Sequence, residues 1–477
     1  MKYVEHPRRE QIKSRYKARR AIDGISGMVL SPRFFRIPGL LSVLQQVSRS
    51  LFCCSTTRPS CNGEGHAIEG MSKMRVIVLS DYGYVNGGAA QVAIRSLNAL
   101  AESGVDVTFV FSVGPIDPSI KCDLVRVVNF GFHDLLGNPS RLHASIRGIW
   151  DFQCADRFRK LLFGYNPNDT IVHLHSWMMS LSSSVVDVAT SLGFRVVCTL
   201  HDYFSVCPNG GLYNYPQKKP CLLQPMSLGC VASNCDSRNY AQKLWRVGRQ
   251  VVQKRYGGIP GRLKYFITVS DYSESLLSRW LPHNVQFFRV RNPIGIDKEL
   301  PSAVDDNRQF SFVGHMSEEK GVEVFAEAAK LANVRAIFVG SGSDETNLAT
   351  INKSVELTGW KDLSGVTQTM RSSRALVFPS LWHETQGMTV LEAAALGVPA
   401  VVSDSCAARD AIVNGKTGLL FRSGDVSDLA EKLKMLDCDP QLAARLGVRA
   451  YEHYWSDPPT LECHMRQLIA CYEKIIK

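Results

Sequence analysis

Strand-like and helix-like segments alternate along this chain, and the alternation runs twice. Arg75–Ser80 is a short apolar run of the kind that forms a strand buried on both faces. A Gly-rich turn follows at 84–90. Gln91–Leu100 then has apolar residues at helical spacing, stopped by Gly104, and Val105–Phe111 is again strand-like. Further strand-like runs stand at 171–174, 195–200 and 266–270. A second series opens at Phe310: helix 322–331, strands 335–339 and 375–378, helix 388–396, strand 400–403. Such an order calls for parallel sheets joined by right-handed crossovers, and hence two doubly wound α/β domains. Pro and Gly break the pattern at Asn292-Pro-Ile-Gly-Ile-Asp297. The expected domains are therefore 74–291 and 292–458, with a helical 459–477 crossing back to the first.

Length and composition agree. At 477 residues the chain exceeds one ordinary core, and 45% hydrophobic with 21% charged residues is a globular balance. No apolar run reaches the roughly 18 residues of a spanning helix, and the charged first twenty residues do not resemble a signal peptide. Fourteen cysteines without such a leader point to reduced thiols and a cytoplasmic setting. Of the net charge of +11, residues 1–73 carry +8, from 13 Lys/Arg against 5 Asp/Glu. The basic balance thus belongs to one extension and does not point to nucleic acid. That extension reads as a poorly ordered tail, with Met71 and Met74 just before the first strand, or as a surface helix drawn to anionic lipid on the inner membrane face.

The strongest motif runs from Phe378 through Leu-Trp-His-Glu384-Thr-Gln-Gly387-Met-Thr-Val-Leu-Glu392 to Gly397-Val-Pro399. A strand ends, a polar loop presents Glu384, Gly387 lets backbone approach a ligand, and a helix begins at Met388. The free amides and dipole of a helix start form an anion site, and Glu392 lies one turn further on. A second segment, Phe312-Val-Gly-His315-Met-Ser-Glu-Glu-Lys320-Gly321, follows a strand. Asn86-Gly87-Gly88-Ala89 follows the first strand, and Thr199-Leu-His201-Asp-Tyr follows another. His173 and His175 alternate across a strand end, so they read as structural or acceptor-side residues.

The Glu-x7-Glu segment resembles the signature of glycosyltransferase family 4, and the likeness covers about residues 74–460. It implies the GT-B fold, two Rossmann-like domains facing each other across a cleft, and retaining transfer of a hexose-type sugar from a nucleotide-sugar donor to a glycan or lipid-linked acceptor. The resemblance places Glu384 by the donor sugar hydroxyls, Glu392 on the ribose, and the amides of Gln386, Gly387 and Met388 on the diphosphate. Lys320 matches a diphosphate-binding lysine. His315 stands where the family usually has arginine, a departure that weakens the charge offered there. Gly87 and Gly88 match a loop against the donor, and His201 a histidine lining the cleft. His201, Glu384 and Lys320 are the expected catalytic set. The likeness further suggests front-face attack without a catalytic metal, in cell-envelope polysaccharide or lipopolysaccharide synthesis, by a cytoplasmic, peripherally membrane-associated enzyme.

Cys207, Cys221, Cys230 and Cys235 fall in an insertion near 203–260. Two readings stand side by side: a structural zinc held by the four, or four unrelated reduced thiols with the nearby tyrosines as a satellite core. Two rival functions compete with sugar transfer. A dinucleotide-dependent oxidoreductase needs Gly-x-Gly-x-x-Gly after a first strand, and Gly340-Ser-Gly-Ser lacks the third glycine. A catalytically silent sugar- or nucleotide-binding relative is favoured mainly by His315.

Overall fold

The computed structural model describes residues 74–477; the basic extension and its membrane reading lie outside the described residues. In chain order the strands of the first domain are β1 (Arg75–Tyr82), β2 (Asp106–Val113), β3 (Val125–Asn129), β4 (Thr170–Leu174), β5 (Arg195–Thr199), the short β6 (Tyr213–Asn214) and β7 (Lys219–Pro220), β8 (Tyr265–Thr268) and β9 (Gln286–Arg289). Seven of them form a parallel sheet in the order β3-β2-β1-β4-β5-β8-β9. In the second domain β10 (Gln309–Val313), β11 (Arg335–Val339), β12 (Glu356–Leu357), β13 (Ser373–Phe378), β14 (Ala400–Ser403) and β15 (Gly418–Phe421) form a parallel sheet in the order β12-β11-β10-β13-β14-β15. Strand order reverses between β1 and β4 in one sheet and between β10 and β13 in the other. Ligands of open α/β sheets bind beyond the carboxyl ends of strands at such reversals.

The core follows from the patterning. Val76–Ser80 of β1 are all buried, because helices cover both faces of the sheet. The helix Gly88–Glu102 turns Ala90, Ala93, Ile94, Leu97 and Ala101 inward, the spacing of one helical face, and ends before Gly104 in the left-handed region. The last helix, Leu461–Ile476, buries Met465, Leu468, Tyr472 and Ile475 beside Val76, Val78 and Phe109. The chain's end is thus a core element of the first domain. The second domain has its own core, with Phe310, Phe312, Phe325 and Phe338 at its centre.

The sequence pattern does not anticipate β3, β9, β12 and β15. All four are edge strands, and the burial of β3 and β9 is broken by exposed or half-exposed residues. A strand covered on one side only lacks the continuous apolar run that marks a central one. Between β5 and β8 the insertion folds as the β6–β7 hairpin followed by helices, one of them Tyr240–Val252. Tyr203 and Tyr213 are completely buried in it.

Candidate functional site

A cleft of about 280 Å³ lies where the two strand-order reversals face each other. The helix after β1 contributes Gly88, the loop after β5 His201, the loop after β10 Gly314 and Lys320, and the loop after β13 Ser380, Glu384, Gln386, Gly387 and Met388. Most of the residues singled out in the sequence therefore meet in one place. Gly87, His315 and Glu392 do not line it. Gly87 is the residue before the first helical turn, and His315 is exposed on the loop after β10.

The second-domain wall is charged. The Lys320 ammonium forms an ion pair with the Glu384 carboxylate, which also accepts a 3.3 Å hydrogen bond from Ser380 Oγ. Lys320 lies 5.2 Å from the centre of the Trp382 ring, a cation–π contact. The turn that carries it is fixed by Gly321, whose φ of +69° and tight approach to the Pro379 carbonyl leave no room for a Cβ. The same wall holds the start of the helix Met388–Ala395, where Gly387 caps without a side-chain bond, leaving the first amides for another acceptor. A Cβ on Gly387 would overlap Ala408, so packing within the second domain by itself requires glycine there.

Glu392 is half-buried on that helix. Burial raises its carboxyl above the ordinary glutamate value, and Arg95 works against the shift. Arg95 comes from the helix after β1 and packs on the interdomain segment: a Cβ on Gly295 would stand 2.8 Å from its Nη1. The sequence gives no sign of this role for Arg95. No local pattern marks a cation whose field reaches a carboxylate nearly three hundred residues away.

The first-domain residues that line the cleft carry no charge. Burial pushes the His201 imidazole down to about 4, so it is neutral at pH 7. Its neighbour Asp202 is pushed up to about 6 by burial, and accepts a 2.9 Å bond from the Phe204 amide. The domains touch across the site. Thr385 Oγ1 donates to the His201 carbonyl at 3.2 Å, and the Tyr272 amide donates to Asp410 at 3.0 Å. The Tyr272 hydroxyl bonds Ser405 O and His383, and Lys218 of the hairpin pairs with Glu323 at 2.9 Å.

A larger cleft of about 460 Å³ shares Gln386 and Gly387 and runs toward Tyr454 and Asp457. Its arginines are occupied: Arg289 pairs with Asp271 and Glu274, and Arg291 with Asp457. The smaller cleft sets the Lys320 ammonium and the helix start together on one wall.

Two family descriptions match in tandem: Glycosyltransferase Family 4 over residues 86–294 and Glycosyl transferases group 1 over residues 296–453. The chain belongs to glycosyltransferase family 4. A GDP-mannose-dependent alpha-mannosyltransferase of Mycolicibacterium smegmatis is 35% identical over 31% of this chain and 42% of its own length. The capsular polysaccharide biosynthesis glycosyltransferase CapM of Staphylococcus aureus is 26% identical over 32% of this chain and 42% of its own. The match therefore spans under half the length of either relative. Among solved structures, a sucrose-phosphate synthase from Thermosynechococcus elongatus superposes with a TM-score of 0.62 at 19% identity, over 84% of this chain and 99% of that one. At that identity the likeness is one of fold, and the fold is GT-B.

The glycosyltransferase's cysteine-bearing insertion gathers its thiols around a lysine. Cys207, Cys230 and Cys235 are buried and Cys221 half-buried, all four as free thiols. Between them sits the fully buried ammonium of Lys243, 3.1 Å from Cys235 Sγ and 3.6 Å from Cys230 Sγ. Asn209 links Cys207, at 3.0 Å, to Cys235, at 3.3 Å. Among the described residues no group of three or more His, Cys, Asp or Glu side chains is arranged to hold a metal ion. That lysine comes from the helix Tyr240–Val252, and Tyr203 of the insertion packs into the first domain's own core. Among the described residues, too, no helix is long and apolar enough to cross a membrane.

Proposed function

We propose that this glycosyltransferase moves a hexose-type sugar, with retention, from a nucleotide-sugar donor to a glycan or lipid-linked acceptor in polysaccharide synthesis. One observation carries the reading: Lys320, Glu384 and the free start of the helix Met388–Ala395 converge on the cleft that His201 closes from the other side. The donor diphosphate sits on the helix amides and draws Lys320 away from Glu384, which then faces the sugar hydroxyls. Charge that develops on the leaving diphosphate is stabilised by Lys320 and the helix dipole. The acceptor hydroxyl attacks from the leaving-group face and passes its proton to the departing phosphate oxygen, a route that uses no enzymic nucleophile. Glu392 takes the ribose. Contacts between the domains across the cleft exclude water and limit hydrolysis. The mannosyl and capsular relatives support a nucleotide-sugar donor and a polysaccharide product. The basic residues 1–73 support peripheral attachment to an anionic inner membrane surface.

The test is a thermal-shift panel of UDP-, GDP-, ADP- and dTDP-sugars, followed by transfer assays with the stabilising donor. Binding raises the melting temperature by mass action. Absence of any shift across the panel would overturn the donor assignment.

A further inference from the structure

We infer that His175, one residue beyond the end of β4, is a positioning residue that holds His201 in the tautomer carrying its proton on Nδ1, so that His201 meets a sugar oxygen as a hydrogen-bond donor and not as a base. The inference deepens the glycosyl-transfer reading and rests on it for the identity of the sugar.

The geometry is an imidazole pair. His175 Nδ1 lies 2.9 Å from His201 Nε2, with the rings stacked at a 23° angle and 5.2 Å between centres. The backbone fixes both: the His175 amide donates to Leu79 O at 2.9 Å and the His201 amide to Thr199 O at 3.1 Å. His201 lines the cleft, while His175 is only 3% exposed. The other nitrogen of His175, Nε2, is buried and has no partner among the described residues. The ring next to it, His173, is already engaged on both nitrogens, by Tyr472 Oη at 2.6 Å and Thr199 Oγ1 at 2.7 Å.

One proton lies between His175 and His201, and two arrangements are available. If His201 Nε2–H donates, His175 must carry its own proton on Nε2, leaving a buried N–H without an acceptor. If His175 Nδ1–H donates, its Nε2 keeps only a lone pair, and the proton of His201 resides on Nδ1. Orphaned buried N–H groups are rarer in proteins than under-used acceptors. The second arrangement therefore prevails. It requires both rings to be neutral, and burial keeps both well below the ordinary histidine range. A neutral imidazole whose Nε2 already accepts a bond has no lone pair left to take a proton from the acceptor hydroxyl.

The tautomer can be read directly. In full-length protein labelled with 15N-histidine, long-range proton–nitrogen correlation distinguishes Nδ1–H from Nε2–H, and His201→Gln assigns the His201 signals by their disappearance. The expected result is Nδ1–H at His201 in the wild type without any substrate. His175→Asn, whose amide nitrogen stands near the Nδ1 position, should keep that pattern. His175→Leu should release His201 to the other tautomer and lower kcat on the order of tenfold with donor KM little changed, and His175→Asn should recover most of the loss. An Nε2–H pattern at His201 in the wild type overturns the inference, as does an equal loss of kcat in the Asn and Leu variants when both fold. Because the spectrum needs no donor or acceptor, a protein inactive on every sugar but showing Nδ1–H would reject the transfer reading and uphold the tautomer assignment.

Discussion

The two walls of the cleft occupy equivalent places, each at the carboxyl ends of a doubly wound sheet where strand order reverses, yet they are built from opposite materials. The second domain presents an ion pair, Lys320 with Glu384, beside an uncapped helix start. The first presents glycine backbone and an imidazole that burial keeps neutral. On the proposed function, each wall suits a different part of the reaction. A diphosphate leaving group gains negative charge as the glycosidic bond breaks and needs a fixed cation and oriented amides. Sugar hydroxyls need oriented, uncharged hydrogen-bonding groups.

Removing this asymmetry should have its largest effect at Lys320. Lys320→Met keeps the side chain's stem and removes its charge, and kcat/KM should fall about 100-fold or more, as when a single stabiliser of a developing anion is lost. Steady-state kinetics at varied donor concentration measure it. A loss smaller than about fivefold would mean that the charged wall is not where the leaving group departs.

Glu392→Gln should come next, weakening donor affinity about thirtyfold, or roughly 2 kcal/mol, through loss of a strong bond to the ribose. Calorimetry with the nucleotide alone tests it, and unchanged affinity would return Glu392 to a role toward Arg95 only. Because burial raises this carboxyl, it loses its charge at a higher pH than an exposed glutamate does. Donor affinity should therefore decline on acidification earlier than an ordinary carboxylate predicts, and that dependence should vanish in the variant.

A smaller effect concerns Asp202, which is buried behind the first wall. Asp202 is pushed from 3.8 up to about 6 by burial, so the folded chain holds this proton more tightly than the unfolded one. Its contribution to stability rises as pH falls through about 6 and levels off below the ordinary aspartate value. At pH 8 the ionised carboxylate is a cost to the folded state. Asp202→Asn, which keeps an oxygen for the Phe204 amide, should raise the melting temperature by about 2–4 °C at pH 8 and by nothing measurable near pH 3. A variant destabilised at pH 8 would show that the wall tolerates the charge.

The smallest effect is expected at His315. Its exposed position outside the cleft lining means that His315→Arg should change donor affinity by less than about threefold, under roughly 0.7 kcal/mol. Tenfold tightening would bring the loop after β10 onto the diphosphate and make the second wall still more cationic.

Much of this architecture is legible in the residues alone. Buried central strands announce themselves as unbroken apolar runs, so β1, β2, β4, β5, β10, β11, β13 and β14 stand out, and edge strands such as β3 and β9 do not. The Glu384 loop and the Lys320 turn are visible because glycine, a strand end and a helix start are local signals. The cysteine-bearing insertion shows the limit of such reading. Four cysteines in one insertion have the composition of a metal site, but Lys243 comes to their centre from a helix that sequence spacing does not connect to them.

Two doubly wound domains, the family, and the segments from which the cleft is made are all written in the chain itself, because periodicity, turn chemistry and short motifs are properties of neighbouring residues. Which of those residues meet is a matter of packing. Packing turns His315 outward and sets Arg95 within reach of Glu392's charge. It ties Lys320 to Glu384 and stacks His175 on His201. Ion pairs, buried orphan nitrogens and desolvation arise between elements far apart in the chain, at distances that the three-dimensional fold fixes and that no local pattern encodes.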